Sequence, residues 1–276
     1  MFKRVVVGVD GQVGGQDAIV LARQLLDNDG VLTLANVWSG DGTEMLERER
    51  AAAGVDAQLV SAEGDSVGAT LHELADYLKA DLLVVGSSRR ALVERVWLGG
   101  VTRAALHDAT CPVAVAPSGY GRGPRPIREV GVGYSGSPES KRALAAGRRL
   151  AAETGAKLSV MEVISQAPRD SMEDFYNPAV SIKRALRRAE ERLGKLGGVV
   201  PHAVFGMPAE ELTLFSGSID LLIIGSRTQG PLGRLLLGST SLAVARSVRC
   251  PLLVLTREAV SGELGLGQPA LAGVVR

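Results

Sequence analysis

Each half of the chain contains a glycine-rich loop whose residue types and spacing could bind an anion. Both loops have a first residue, two spacer residues, a middle residue, nine spacer residues and then a glycine-led turn. Glycine lets backbone N–H groups approach phosphate oxygens closely, and a helix beginning at such a turn adds unpaired N–H groups and a positive dipole end. The alternative is that the glycines only permit turns and that Ser239 only caps a helix. The residues concerned are Gly86, Arg89, Gly99, Gly100 and Val101 in the first half and Gly225, Thr228, Gly238, Ser239 and Thr240 in the second.

A second pair of loops follows the first apolar run of each half. One contains Gly8, Val9 and Asp10, and the other contains Gly133, Tyr134 and Ser135. Ligands of open parallel sheets bind beyond the carboxyl ends of the strands, at the point where the strand order reverses. We therefore expect each of these loops to face the glycine-rich loop of its own half.

An internal repeat explains why the loops occur twice. The segment 81–87 returns at 220–226 and the segment 111–115 returns at 250–254, both displaced by 139 residues, whereas the opening run at Val5 returns at Val130, displaced by 125. The second copy thus carries an insertion of about fourteen residues. The repeat predicts two domains, at 1–117 and 128–256, joined by a Gly- and Pro-rich linker at 118–127 and followed by a flexible tail at 257–276.

Strand-like and helical patterns alternate within each copy, which predicts an α/β fold with a parallel sheet covered on both faces. In the first copy we expect strands near 4–9, 31–37, 56–61, 81–86 and 112–116. A charge-rich helix near 174–196 is expected to have a solvated face. Cys111 and Cys250 occupy equivalent places before a proline and are expected to be core residues rather than a disulfide or redox pair.

Composition excludes several classes of function. The net charge is +1, with 46% hydrophobic and 22% charged residues, so no strong field would gather nucleic acid or an anionic membrane. We find no apolar run of the length that a membrane helix needs and no signal-peptide pattern at the N-terminus, so a cytoplasmic location is expected. His72, His107 and His202 lie in unrelated contexts, with His72 expected on a solvated helix side, so neither a catalytic set nor a metal site is predicted.

The spacing of the glycine-rich loops resembles that of the universal stress protein family, in which Gly, two residues, Gly, nine residues, Gly and Ser or Thr wrap the phosphates of ATP. The resemblance covers 5–117 and 130–256, which is the tandem type. It implies a five-stranded parallel sheet in each half, in the order 3-2-1-4-5, with helices on both faces. It also implies binding of ATP, or of AMP or cyclic AMP, with Mg accompanying the phosphates, in a nucleotide-dependent sensor or regulator of the stress response. At most slow ATP hydrolysis is expected.

Carried over by position, the family's acidic residue falls on Asp10 and its counterpart is Ser135. The base-contacting backbone falls at Val37 and Val163, and Val85 and Ile224 come just before the phosphate loops. The chain departs from the pattern at three positions. Arg89 and Thr228 replace the middle glycine, and Gly100 replaces the usual Ser, so the first copy keeps the acidic residue and the second keeps the Gly-Ser end.

Two other hypotheses remain. Residues 135–140 superficially resemble the pyrophosphate loop of ATP-cleaving synthetases, although Pro138 more simply begins a helix capped by Ser137. Alternatively, both sites are degenerate and the chain is a pseudo-dimeric module that binds protein partners. The resemblance implies pairing of the two copies through their last strands and association of tandem chains into a homo-oligomer, most simply a dimer.

Overall fold

The structure is a computed structural model that describes residues 1–37, 42–87, 100–107, 109–123, 125–166, 177–226 and 238–255, together with the backbone of 271–275. The strands are β1 (Phe2–Gly8), β2 (Leu26–Val37), β3 (Gln58–Ala62), β4 (Leu82–Gly86), β5 (Val113–Ala116), β6 (Glu129–Gly133), β7 (Lys157–Ile164), β8 (Val200–Phe205), β9 (Leu221–Gly225), β10 (Leu252–Leu255) and β11 (Leu271–Val275). The helices are α1 (Val13–Leu25), α2 (Thr43–Ala53), α3 (Val67–Tyr77), α4 (Gly100–Leu106), α5 (Pro138–Thr154), α6 (Pro178–Gly194), α7 (Pro208–Phe215) and α8 (Ser239–Ser247).

The strands form one sheet in which the two copies follow the same topology. Strands β1 to β5 lie in the order β3-β2-β1-β4-β5, and β6 to β10 lie in the order β8-β7-β6-β9-β10. All pairings within each set of five are parallel. The predicted α/β fold with the order 3-2-1-4-5 in each half is therefore confirmed.

The two halves meet through their last strands. Strand β10 pairs with β5 in the antiparallel direction, with Leu252 opposite Val115 and Val254 opposite Val113. The last strand of each half thus covers the edge strand of the other half. This removes two exposed strand edges, which would otherwise be templates for unwanted pairing. The chain forms internally the last-strand contact that the resemblance implied.

The short apolar runs form strands because both faces of the sheet are covered by helices. In β1, Val5 and Val7 pack into a core on one face and Val6 packs into a core on the other, and all three are at most 1% exposed. Each of the two cores contains residues of both halves. The sheet is thereby a continuous support for the loops at its strand ends.

One carboxylate in each half ties the fourth strand to the start of the first. Asp81 accepts hydrogen bonds from the backbone N–H groups of Lys3 and Arg4, both at 2.9 Å. Its counterpart Asp220 accepts from the N–H groups of Arg128 and Glu129 at 2.8 and 2.9 Å. These bonds join the starts of β1 and β4, and of β6 and β9, at the end of the sheet where the strands begin.

The segment between the copies is held to α1 by side chains. Asp17, which is 1% exposed, accepts from the backbone N–H groups of Gly119 and Gly121 at 2.8 and 2.7 Å. Tyr120 is 2% exposed and donates to Gln24 Oε1 at 2.6 Å. The sequence predicts irregular backbone here, but residues 120–122 form a single 3-10 turn because α1 supplies acceptors for the turn.

Strand β11 was not predicted, because the sequence after residue 256 lacks periodicity. It pairs antiparallel with β3, with Val275 opposite Leu59 and Leu271 opposite Ala62. An edge strand offers a row of unpaired backbone groups, which even a short apolar segment can satisfy. Of the predicted flexible tail at 257–276, residues 257–270 and 276 lie outside the described residues.

The remaining expectations have mixed outcomes. Cys111 and Cys250 are buried free thiols, as predicted.

Helix α6 exposes most of its charged side chains, also as predicted, although residues 174–176 of the predicted helix lie outside the described ranges. The prediction of a solvated His72 is wrong. The residue is only 7% exposed, because α3 packs on α4, and its Nε2 lies 3.0 Å from the carbonyl oxygen of His107, just after α4. Within the described part of the chain, no helix is both long enough and apolar enough to span a membrane.

Candidate functional site

Each half has a cleft at the carboxyl ends of its strands. The first cleft, of about 430 Å³, lies between the ends of β1, β2 and β4 and the starts of α1 and α4. The second, of about 390 Å³, lies between the ends of β6, β7 and β9 and the starts of α5, α7 and α8. Both volumes are in the range of small-molecule sites, which is about 300–1,000 Å³.

The clefts bring together most of the residues singled out from the sequence. In the first cleft these are Gly8, Val9, Asp10, Val37, Val85, Gly86, Gly100 and Val101. In the second they are Gly133, Tyr134, Ser135, Val163, Ile224, Gly225, Gly238, Ser239 and Thr240. Arg89, Gly99 and Thr228 lie outside the described residues. The convergence follows from the fold, because neighbouring parallel strands end at the same edge of the sheet.

The glycines at the ends of β4 and β9 are required by helix packing. A Cβ on Gly86 would overlap the carbonyl group of Gly14 in the first turn of α1. A Cβ on Gly225 would overlap the carbonyl group of Glu139 in the first turn of α5. Besides the close approach of a phosphate and a simple turn, the structure gives these glycines a third role: they let a helix start come close to the sheet.

The opposite end of the glycine-rich loop is more open. A Cβ on Gly100 or on Gly238 would meet no atom within 4 Å, so neither glycine is required by packing among the described residues. Helix α8 begins behind Gly238 without a side-chain cap, and Ser239 and Thr240 follow at its first turn. In the first half, Thr102 Oγ1 donates to the Gly86 carbonyl oxygen at 2.9 Å and ties α4 to the end of β4.

The loop after the first strand differs between the halves. Asp10 is exposed, and its Oδ1 accepts from the backbone N–H of Gln12 at 3.0 Å. In the second half, Ser137 Oγ accepts from the Ser140 N–H at 3.2 Å and Pro138 occupies the first turn of α5. The predicted helix start at Pro138 is therefore confirmed, and it favours the capped-helix interpretation over a pyrophosphate loop.

Two buried polar side chains in the first cleft were missed from the sequence. Asn36 lies within β2, is 4% exposed, and its Nδ2 donates to the Val9 carbonyl oxygen at 2.8 Å. Among the described residues its Oδ1 has no hydrogen-bond partner, and neither has Oγ of Ser87, which is also 4% exposed. An amide inside an otherwise apolar strand was the available signal for Asn36, whereas Ser87 has no comparable signal.

The described ionisable groups include side chains of the types that bind metal ions and two free thiols. No group of three or more His, Cys, Asp or Glu side chains within the described ranges could hold a metal ion. Burial raises the pKa of the Cys111 and Cys250 thiols to about 12, so both are protonated at neutral pH. The described linings of the clefts offer hydrogen-bonding side chains and backbone N–H groups.

Comparison with known proteins agrees with the fold and with the duplication. The model of the universal stress protein family matches residues 42–117 and 126–256, well over half of the chain. Universal stress protein Rv2005c of Mycobacterium tuberculosis is 33% identical over 183 residues, which are 64% of this chain and 62% of that protein. The chain thus spans 62% of the length of this relative.

Solved structures share the architecture of the whole chain. A functionally unknown protein of Pseudomonas aeruginosa matches with a TM-score of 0.72 and 16% identity, covering 93% of both chains. A universal stress protein of Archaeoglobus fulgidus matches with a TM-score of 0.67 and 20% identity, covering 92% of this chain and 98% of that one. At such identities these structures support the fold alone. Together with the family match in both halves, the observations show that the chain belongs to the universal stress protein family.

Proposed function

We propose that the chain binds an adenine nucleotide, ATP foremost, with AMP or cyclic AMP as the other candidates, in one or both halves. The observation that carries the proposal is the pair of clefts at the reversal of strand order, each lined by the two loops that the sequence singled out. We propose further that nucleotide occupancy makes the chain a sensor or regulator in the stress response, in the cytoplasm.

The first cleft offers complementary surfaces for the parts of a nucleotide. Val37, Val67 and Leu71 supply apolar contacts for a base, while the exposed Asp10 carboxylate can accept hydrogen bonds from ribose hydroxyls. Gly14 and Gly15 line the cleft at the start of α1, which has no side-chain cap. Unpaired N–H groups at a helix start attract an anionic group.

The second cleft offers a different set of groups. Ser239 and Thr240 contribute hydroxyls at the uncapped start of α8, where a phosphate could also meet backbone N–H groups. Ser135 stands where the first cleft has the Asp10 carboxylate. Mg²⁺ usually keeps several waters and binds through substrate phosphates with one or two carboxylates, so we propose that any Mg²⁺ would be held mainly by the phosphates.

Equilibrium dialysis of the full chain against ATP, AMP and cyclic AMP, with GTP as the comparison, tests the proposal. We expect saturable binding of at least one adenine nucleotide and weaker binding of GTP. Asp10→Asn, which keeps the shape of the side chain but removes its charge, should weaken the binding of adenosine nucleotides if Asp10 contacts the ribose. Absence of saturable binding of any adenine nucleotide would overturn the proposal.

The second candidate function is a non-binding pseudo-dimeric module for protein partners. The antiparallel pairing of β5 with β10 favours it, because this pairing joins the two halves without a ligand. The departures at Arg89, Gly100, Ser135 and Thr228 also favour it. A homo-oligomer, such as a dimer of tandem chains, would have to use another surface, since β5 and β10 already cover each other. Loss of all nucleotide binding in the dialysis experiment would favour this candidate.

A further inference from the structure

The two clefts differ in how far their buried polar groups are satisfied. In the first, Asn36 Oδ1 and Ser87 Oγ are buried and have no hydrogen-bond partner in the described ranges, and both residues line the cleft. No residue that lines the second cleft has such an atom within the part of the chain that the structure describes. Because an unsatisfied buried polar group costs free energy, nearly all such groups in native proteins find a partner in protein, water or ligand.

The free atom of Asn36 is identified by its other hydrogen bond. The Val9 carbonyl oxygen can only accept, so the side-chain atom 2.8 Å away must be the amide nitrogen. The remaining atom, Oδ1, is therefore an acceptor. A ligand that satisfies it must present an N–H or O–H donor.

The counterparts in the second half have other surroundings. Glu162 takes the place of Asn36, since Asn36 follows Ala35, which is opposite Gly8, and Glu162 follows Met161, which is opposite Gly133. Its Oε1 binds Arg192 of α6 at 2.5 Å, while its Oε2 is buried without a hydrogen-bond partner among the described residues. Glu162 is not among the residues that line the second cleft. Ser226 takes the place of Ser87, and it is fully buried and has an interaction partner.

The first helix of each half begins in a different way. Helix α1 begins behind Gln12 without a side-chain cap, and Gly14 and Gly15, which have no side chains, lie in its first turn beside the cleft. Helix α5 begins behind the Ser137 cap, which already satisfies the Ser140 N–H. Asn36 Oδ1, Ser87 Oγ and the uncapped start of α1 thus meet in the first cleft, whereas the described lining of the second cleft has no unpaired buried side-chain atom, although α8 also begins there without a cap.

From these differences we infer that the first cleft is the high-affinity nucleotide site, and that Asn36 and Ser87 determine its specificity. Asn36 Oδ1 accepts from a donor on the ligand, such as the amino group of an adenine base, and Ser87 Oγ hydrogen-bonds to a polar atom of the same ligand. The inference rests on the proposed function and deepens it. The inference favours the first cleft, although it is the second copy that keeps the Gly-Ser end of the family motif.

Titration calorimetry with ATP on the wild type, Ser87→Ala and the matched control Ser226→Ala tests the inference, together with the thermal unfolding midpoint of each protein. For Ser87→Ala we expect a dissociation constant about 5- to 30-fold higher than that of the wild type, with an unchanged or higher midpoint because an unpaired hydroxyl is removed. For Ser226→Ala we expect a lower midpoint, since its hydroxyl has a partner, and an unchanged dissociation constant.

A change of ligand tests Asn36 without breaking its bond to Val9. Inosine triphosphate carries a carbonyl acceptor where ATP carries the amino donor, so it should bind the wild type about tenfold or more weakly than ATP. Equal affinity for the two ligands would overturn the role of Asn36. An unchanged ATP affinity of Ser87→Ala would overturn the role of Ser87, while the proposed function would stand. No binding of ATP by the wild type would overturn both the inference and the proposed function.

Discussion

Gly86 lies so close to the backbone of Gly14 that a Cβ at position 86 would overlap the Gly14 carbonyl group, and Gly225 has the same relation to Glu139. These glycines therefore set the distance between the sheet and the helix that borders each cleft. Their substitution changes the fold and the cleft together, so loss of ligand binding in such a variant would not identify a phosphate contact.

We expect Gly86→Ala and Gly225→Ala each to lower the free energy of unfolding by about 1–3 kcal/mol, because the added methyl group must displace a helix start. Urea denaturation without ligand measures the effect. Gly238→Ala is the control: its φ of −60° suits any residue and its Cβ would have open space, so its stability should stay close to that of the wild type. Wild-type stability of Gly86→Ala would contradict the packing role.

The paired aspartates give a second prediction about stability. Asp81→Ala and Asp220→Ala each remove a carboxylate that accepts two backbone N–H groups of the neighbouring first strand. Each should lower the free energy of unfolding by about 1–2 kcal/mol, since these are charge-assisted bonds in a partly solvated place. Asp56→Ala, at an exposed residue after α2, serves as the control for loss of one negative charge. A similar effect of all three substitutions would show that charge, and not the strand contact, is responsible.

The alternation of strand-like and helical patterns was enough to predict the fold class, the internal repeat predicted the duplication, and the loops after the strands predicted the positions of the clefts. The loops suffice because those that follow neighbouring parallel strands must meet at one edge of the sheet. The role of Gly86 could not be predicted, because Gly14 is distant in sequence and meets it only when α1 packs on β4. Asn36 was missed for the same reason, since its partner Val9 belongs to another strand end. Strand β11 has no periodic pattern because five residues along a sheet edge need only backbone pairing.

Asp17 predicts a pH dependence of stability. Burial raises the pKa of this carboxyl above its ordinary value of 3.8, against the opposing effect of the Gly119 and Gly121 N–H groups. The folded state then holds the proton more tightly than the unfolded state, so ionisation of Asp17 lowers stability as the pH rises through the raised pKa. The unfolding free energy of the wild type minus that of Asp17→Asn should therefore fall as the pH increases above 3.8. A difference that rises with pH would mean that the two N–H bonds outweigh burial.

The cysteines provide a test of one of the two cores, the one that contains Val6, because both of them pack in it. Because burial raises the pKa of both thiols to about 12, neither Cys111 nor Cys250 should react with a thiol reagent at pH 8 in the folded chain. Both should react at once in denaturant. A fast reaction of one thiol in the folded protein would indicate that its half opens locally, and the variants Cys111→Ala and Cys250→Ala would show which one.

Native mass spectrometry of the full chain with ATP tests both nucleotide binding and the inequality of the two clefts, because it counts bound nucleotides per chain. We expect a complex of one ATP per chain at low micromolar nucleotide, with a second ATP appearing only at much higher concentration. The first ATP should be lost more readily from Ser87→Ala than from Ser226→Ala. A spectrum that shows only the mass of the bare chain, at ATP concentrations that load a known ATP-binding protein, would contradict the proposed nucleotide binding.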